Sequence, residues 1–336
     1  MVTGARTALD DGDTRIIAAL ADDGRRSNRD VSRAVGLSER VVGQRIRRLR
    51  ELDVMRVVAV VDMHAAGFES VVNVGVRVSG RATEDVARDL ARLPQVLSVL
   101  LMSGGSDIEI VVAARNHATL ATFVETALHR IPGIETLSPS LRLRVVKIEA
   151  GMAPLVAPSG AALAFPPDSP LDETARGIVE HLWGDPQATN QDIAKRLGSS
   201  ETTVRGRIAD LRARGVLRIT AINNLRVGND LVFAAVGIGV EPGQLDHVAE
   251  KVCAFGEVRF AATVLGRCHL LTMIVTHTAA ELSSLVHTTI GRVRGVVRVE
   301  AAQALRFIKH DYRWAPLQAS SDVAQWAGPT ATPHGR

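Results

Sequence analysis

Cysteine is nearly missing from this chain. Only Cys253 and Cys268 occur in 336 residues, and their separation of 15 positions fits no metal-ligand spacing and builds no disulfide framework. A reducing cytosol is the expected compartment. Aromatic residues make up 3% of the chain, too few for a surface that binds single strands by base stacking. Lysine is scarce as well: Lys147, Lys195, Lys251 and Lys309 are the only ones, and arginine supplies the other 36 of 40 basic residues. Genome base composition explains that bias before function does. No apolar run approaches the roughly 18–20 residues that span a bilayer. The opening MVTGARTALDDGDTR has no apolar core of a secretory signal. There is no nucleophile elbow and no phosphate loop, and the ten histidines are scattered without ligand spacing. No catalytic residue, cofactor, metal or membrane contact is therefore expected.

What remains is an ordinary globular composition, 46% hydrophobic and 23% charged, long enough for two or three domains. The formal charge of +4 is a weak hint of an anionic partner and equally an ordinary excess of base. The informative feature is a repeat. SERVVGQRIRRL begins at Ser38 and SETTVRGRIADL at Ser200, an offset of 162. The same offset relates Leu9-Asp10 to Leu171-Asp172, Gly36 to Gly198, Val74-Gly75-Val76 to Val236-Gly237-Ile238, Gly104 to Gly266, and Lys147 to Lys309. A register held without a gap over about 140 residues is an internal duplication of whole domains, far too long a period for a solenoid.

Within the first copy, Ile16, Ile17 and Leu20 recur at helical spacing over 14–21. Asn28 is read as the cap of a helix over 29–35, Gly36 as a tight turn, and Ser38 as the cap of a third helix ending near Leu52. The second copy repeats this with Asn190 and Ser200 as caps and Gly215 as a left-handed stop. Three helices with a turn before the third describe a helix-turn-helix unit. The period then changes to two. MRVVAVVD (55–62) and LRITAINN (217–224) read as strands, followed in each copy by a β-α-β-β-α-β order. In the first copy the strands are expected near 71–79, 95–103, 107–114 and 136–148, with helices near 83–93 and 117–130. The fold class is α+β, a tandem duplication of a helix-turn-helix and a ferredoxin-like domain, and the uncovered sheet faces of the two copies are expected to partner each other. The expected bounds are 9–54 and 171–216 for the helix-turn-helix units, and 55–150 and 217–310 for the ferredoxin-like domains. A linker is expected over 151–170 and a weakly ordered tail over 311–336.

On the third helix, Val42, Ile46 and Leu49 share the core face. Arg40, Gln44, Arg47, Arg48 and Glu51 lie opposite, with Arg45 and Arg50 on the flanks. Such a face suits a major groove, where arginine pairs with guanine edges or clamps phosphates; it also describes a merely solvated face. In a three-helix context the DNA reading is preferred. The second copy keeps Val204, Ile208 and Leu211 as core, but its outer face is Thr202, Thr203, Gly206, Ala209, Asp210 and Ala213, with Arg205, Arg207 and Arg212 on the flanks. Ser38, Ser200 and the two threonines can still donate to phosphates. Two unequal reading heads, and an asymmetric preferred site, are expected.

These residues resemble a known family. LDxxDxxII, GLSExxVxxRIxxL and a following β-α-β-β-α-β domain look like the Lrp/AsnC, or feast/famine, regulators, over about 9–149 and 171–310. The resemblance implies a transcription factor that binds double-stranded DNA, dimerises and assembles further through its second domain, and senses small molecules, often amino acids. This chain departs from single-copy members by fusing two units into a covalent pseudo-dimer, for which a homodimer or larger ring is implied. Family effectors bind near a Gly-x-x-Asp turn, here Ser103, Gly104, Gly105 and Asp107. Two readings stand side by side: the glycines admit a ligand and Asp107 accepts from its ammonium, or Asp107 supports its own hairpin. In the second copy Gly266 remains but His269 replaces the aspartate, and it reads as a structural residue. Siroheme decarboxylases resemble the same architecture, sometimes as fused halves. The Asn-x-Trp-Phe type sequence they carry is absent from DIEIVVAA and CHLLTMIV, and Tyr312 and Trp314 fall after the last strand. A sensing module without DNA binding is the third reading; the first copy's arginines do not favour it.

Overall fold

The computed structural model describes residues 9–149, 152–153, 162–224 and 231–317. The first half opens with α1 (Asp11–Asp22), α2 (Asn28–Val35) and α3 (Glu39–Glu51). It continues as β1 (Met55–Asp62), β2 (Ser70–Val78), α4 (Thr83–Arg92), β3 (Val96–Ser103), β4 (Ile108–Ala114), α5 (His117–Thr126), β5 (Ile134–Ile148) and β6 (Met152–Ala153). The second half follows as α6 (Glu173–Gly184), α7 (Asn190–Leu197), α8 (Glu201–Ala213), β7 (Leu217–Asn224), β8 (Val232–Val240), α9 (Leu245–Cys253), β9 (Val258–Leu265), β10 (Leu270–Thr276), α10 (Ala279–Ser284), β11 (Val296–His310) and β12 (Trp314–Ala315).

Local chemistry explains the helix ends. The Ser38 and Ser200 hydroxyls accept from Val41 N and Thr203 N, as expected of N-caps. The caps of α2 and α7 lie one residue earlier than expected. Ser27 and Thr189, not Asn28 and Asn190, accept from the backbone of Asp30 and Asp192. Gly36 and Gly198 turn left-handed at φ 68° and 62°. Gly215 does so at φ 68°, and its counterpart Asp53 is the one described non-glycine residue with positive φ, 51°.

The long strands set the architecture. β1 and β7 run antiparallel with Val58 opposite Thr220, residues 162 apart, so a pseudo-two-fold axis passes between them. β12 and β6 flank this pair in a four-stranded sheet. Each ferredoxin-like sheet has its own four strands, β3-β4-β2-β5 and β11-β8-β10-β9. The 15-residue strands β5 and β11 reach beyond their own sheets to pair with β9 and β3 of the other half. The halves thus join edge to edge and close an eight-stranded barrel. The expected partnership of the two copies holds, but through strand edges, with the inner faces opposed across the interior. Edge pairing satisfies the backbone groups that two stacked sheets would leave open.

One core runs through both helix-turn-helix units. Ile16, Leu20, Val42 and Leu49 belong with Ile178, Leu182, Val204 and Leu211, joined through Val57, Ala59, Ile219 and Ala221 of β1 and β7. Each such buried aliphatic side chain contributes about 1.5–3 kcal/mol. Polar contacts lock the units further: Gly24 N donates to Ile219 O at 2.8 Å, and Arg25 donates to Ala188 O at 2.6 Å and Asn190 Oδ1 at 3.1 Å. The second part of the expected linker packs too. Phe165 stacks on Trp183 and meets Trp314 edge-on, and Leu163 is buried. Of the expected weakly ordered tail, residues up to Leu317 are held, with Leu317 N donating to Asp62 Oδ2 at 2.8 Å. The physical reason is the apolar surface of Trp314 and Leu317, both buried. Positions 318–336 lie outside the described residues. Among the described residues no helix is long and apolar enough to cross a membrane.

Candidate functional site

The outer face of α3 carries Arg40, Gln44, Arg47 and Arg48, all exposed, while Val42, Ile46 and Leu49 are buried beneath. Arg40 and Arg47 make no ion pair with a described residue; Arg48 stands 3.6 Å from Asp13 and remains half exposed. Arg45 behaves differently. Its guanidinium donates to Asp10 at 2.7 Å and to Asp13 at 2.8 Å, two members of the capping box of α1. Arg45 therefore pins α3 to the start of α1, and donating to the carboxylates of Asp10 and Asp13 raises its pKa. The second half keeps this pin, Arg207 to Asp172, and loses the rest. At the positions of Arg40, Gln44, Arg47 and Arg48 stand Thr202, Gly206, Ala209 and Asp210. Arg205 pairs with Glu201 at 2.8 Å along its own helix. Thr203 Oγ1 bonds the Ser200 hydroxyl, and Thr202 is exposed. The two faces thus share a scaffold and differ in charge.

The glycine turns sit at the seam between halves. Ser103, Gly104, Gly105 and Gly266 are exposed. Gly104 has φ 130°, and a Cβ there would stand 3.2 Å from the Ala302 Cβ of β11. At Gly266 a Cβ would meet Ser140 Oγ at 2.6 Å and Pro139 O at 2.9 Å, on β5. Ser140 and Ala302 are themselves 162 apart, so each turn lies on the other half's long strand at the equivalent place. The close approach these glycines permit is taken by the chain itself. Asp107 Oδ2 accepts from Val78 N at 2.9 Å, and Oδ1 stands 3.7 Å from Arg77. In the second half His269 Nδ1 accepts from Val240 N at 2.9 Å. The histidine thus performs the aspartate's hairpin-supporting role.

Sequence reasoning missed a cavity of about 270 Å³, partly open, between the barrel's opposed inner faces and the β1–β7 sheet. Its walls are mainly apolar, with Phe233, Phe260 and Phe307 among them. Three strands of the first half bring Asn73, Glu109 and Arg142 together there. Arg142 Nε donates to Asn73 Oδ1 at 2.7 Å, and its guanidinium lies 4.9 Å from the Phe260 ring centroid. Burial raises the Glu109 pKa to about 7, against the pull of Arg267, Asn73 and Arg142. Burial likewise lowers Arg142 to about 10, opposed by Glu109. Both side chains line the cavity. At the equivalent positions the second half has Ala235, Leu271 and Ala304, all apolar. The signal was present as three polar residues within strands whose repeats are apolar. His310 also lines the cavity, its pKa lowered to about 4 by burial. Tyr312 and Trp314, set aside for following the last long strand, line it as well, because β12 folds back beside β1. Among the described residues no group of three or more His, Cys, Asp or Glu could hold a metal ion.

Comparison with known proteins agrees with this geometry. The Lrp/AsnC ligand binding domain matches twice, over 71–152 and 234–314. The AsnC-type helix-turn-helix domain matches 9–50, and a winged helix-turn-helix DNA-binding domain matches 171–218. The HTH-type transcriptional regulator FL11 of Pyrococcus horikoshii is 31% identical over 143 residues, covering 42% of this chain and 94% of the relative. LrpA of the same organism is 32% identical over 141 residues, covering 41% and 99%. Among solved structures, the siroheme decarboxylase NirDL shares the fold across 89% of this chain and 93% of its own, with a TM-score of 0.66 at 19% identity. Its complex with an iron-uroporphyrin III analogue gives 0.65 at 20% identity, over 89% and 92%. By its domain models and its relatives, this chain belongs to the Lrp/AsnC family of helix-turn-helix transcriptional regulators, with two family units in tandem.

Proposed function

We propose that the chain acts without catalysis, as a sequence-specific double-stranded DNA-binding regulator that works on the nucleoid in the cytoplasm. One observation carries the reading: α3 presents Arg40, Arg47 and Arg48 to solvent on a helix whose opposite face is fully buried. Arg40, Arg47 and Arg48 supply phosphate contacts, and Gln44 with one of these arginines reads base edges. Arg45 and Arg207 act one step back, by holding each reading helix against the start of α1 or α6. Ser38, Ser200, Thr202, Thr203 and Arg205 add weaker phosphate contacts. A small-molecule effector, an amino acid by family likeness, binds at the exposed turns Ser103, Gly104, Gly105, Asp107 and Gly266. Those turns lie on the seam between halves, so an effector there shifts DNA affinity by favouring one arrangement of the seam over another. The chain assembles as a homodimer or larger ring.

The test is selection of genomic fragments by the purified protein, then salt-titrated binding to the winner with and without an amino-acid panel. Specific enrichment with a steep salt slope supports the reading. Weak, indiscriminate binding overturns it.

A second reading, a tetrapyrrole decarboxylase, is favoured by one feature: the whole-chain fold forms a cavity lined by Arg142, His310 and Tyr312. The cavity's mainly apolar wall suits a polycarboxylate poorly. A siroheme titration followed by absorbance separates the two readings.

A further inference from the structure

Among the cations that line the cavity, Arg142 is held without an ion pair to any described carboxylate, Glu109 acting on it only at longer range. Arg142 donates to the neutral amide of Asn73 and lies over the Phe260 ring, and no described carboxylate forms an ion pair with it. The guanidinium is nonetheless walled in by apolar side chains, where an uncompensated charge is costly. Asn73 fixes its position from the neighbouring strand β2, where Val72 pairs with Leu141 beside Arg142, and the Phe260 ring backs the guanidinium. A planar fork held this way is preorganised for a carboxylate.

We propose that the interior cavity is a binding site for one small apolar monocarboxylate per chain, its carboxylate on Arg142 and its aryl or alkyl body against Phe233, Phe260 and Phe307. The stoichiometry follows from the asymmetry of the walls. The second half offers Ala235, Leu271 and Ala304 where the first offers Asn73, Glu109 and Arg142, so this polar trio occurs once per chain; the second half's Arg259, which also lines the cavity, is paired with Glu149. The partly protonated Glu109 leaves the Arg142 side of the cavity net positive near neutral pH, while the other acids that line it, Glu149 and Asp311, are paired with Arg259 and Arg313. The site is distinct from the exposed glycine turns, and its test uses no DNA, so its failure leaves the regulatory reading untouched.

The experiment is calorimetric titration of the full chain with 3-phenylpropanoate and octanoate, beside the neutral 3-phenylpropanamide and the polycarboxylate uroporphyrin. The expected result is one site per chain for a monocarboxylate, at least tenfold weaker for the amide, and at least tenfold weaker again for the acid in Arg142→Met. Ala235→Phe, which fills the apolar wall and leaves the polar trio in place, is expected to abolish binding. It decides the matter if Arg142→Met fails to fold by circular dichroism. No saturable binding of either acid, binding indifferent to both variants, or tight binding of uroporphyrin instead would each overturn the proposal.

Discussion

The guanidinium of Arg45 lies 2.8 Å from the carboxylate of Asp13, whose side chain is 1% exposed. A buried carboxylate left without its partner is costly, so Arg45 holds the head together before it touches any DNA. Arg45→Ala is expected to lower the melting temperature more than Arg207→Ala, because Arg207 answers Asp172, which is half exposed, and Ala175 stands where Asp13 would. Thermal melts of the two variants check this; equal shifts would sink it.

Arg47→Ala should do the reverse. Its side chain is exposed and pairs with no described residue, so stability is expected to move by less than about 0.5 kcal/mol. Affinity for the selected operator should fall by about 1–3 kcal/mol if Arg47 reads a base; if it meets phosphate, the salt slope should drop by about one. Arg205→Ala should lose much less. Equal losses in binding titrations would refute the unequal heads.

Gly266→Ala is expected to destabilise the chain by about 1–3 kcal/mol. The added methyl would stand 2.9 Å from Pro139 O, a backbone atom that cannot swing aside. Chemical denaturation measures it. Gly105→Ala, whose Cβ would meet nothing closer than 3.7 Å, is the matched control and should cost less.

Glu109 gives a pH test. The unfolded chain ionises this side chain near 4.5, while the fold holds its proton to about 7. Stability from this group is full below pH 4.5 and is lost as pH rises to about 7. Glu109→Gln should therefore gain on the native protein across that window, to a limit of roughly 3 kcal/mol, and then run parallel above it. Melting curves of both proteins from pH 4.5 to 8 would show it; a constant gap would exclude it.

Much of the fold was legible because it rests on local chemistry. Caps at Ser38 and Ser200, the left-handed glycines and the switch from helical to alternating period are written within a few residues of each other. Asn28 and Asn190 misled by one position because Ser27 and Thr189, equally good caps, precede them. The pairs Asp10–Arg45 and Asp172–Arg207 recur in register, and recurrence of both partners was the available sign of a structural pin. Barrel closure was not legible, since pairing of β5 with β9 depends on contacts over 100 positions distant. Its only trace was the unusual length of the fourth strand in each copy. The trio Asn73, Glu109 and Arg142 escaped for the same reason, being assembled from three strands.

Closure of the barrel has a consequence for the company this protein keeps. Each half spends its long strand on the other half, and every strand of the ring has a neighbour on both sides. A single-unit relative would find no open backbone edge on the closed barrel, so a mixed barrel would require this one to open first. Fusion thus makes the pairing of the two halves within the barrel intramolecular. The two helix-turn-helix units stay paired by covalent linkage even as their outer faces diverge from each other.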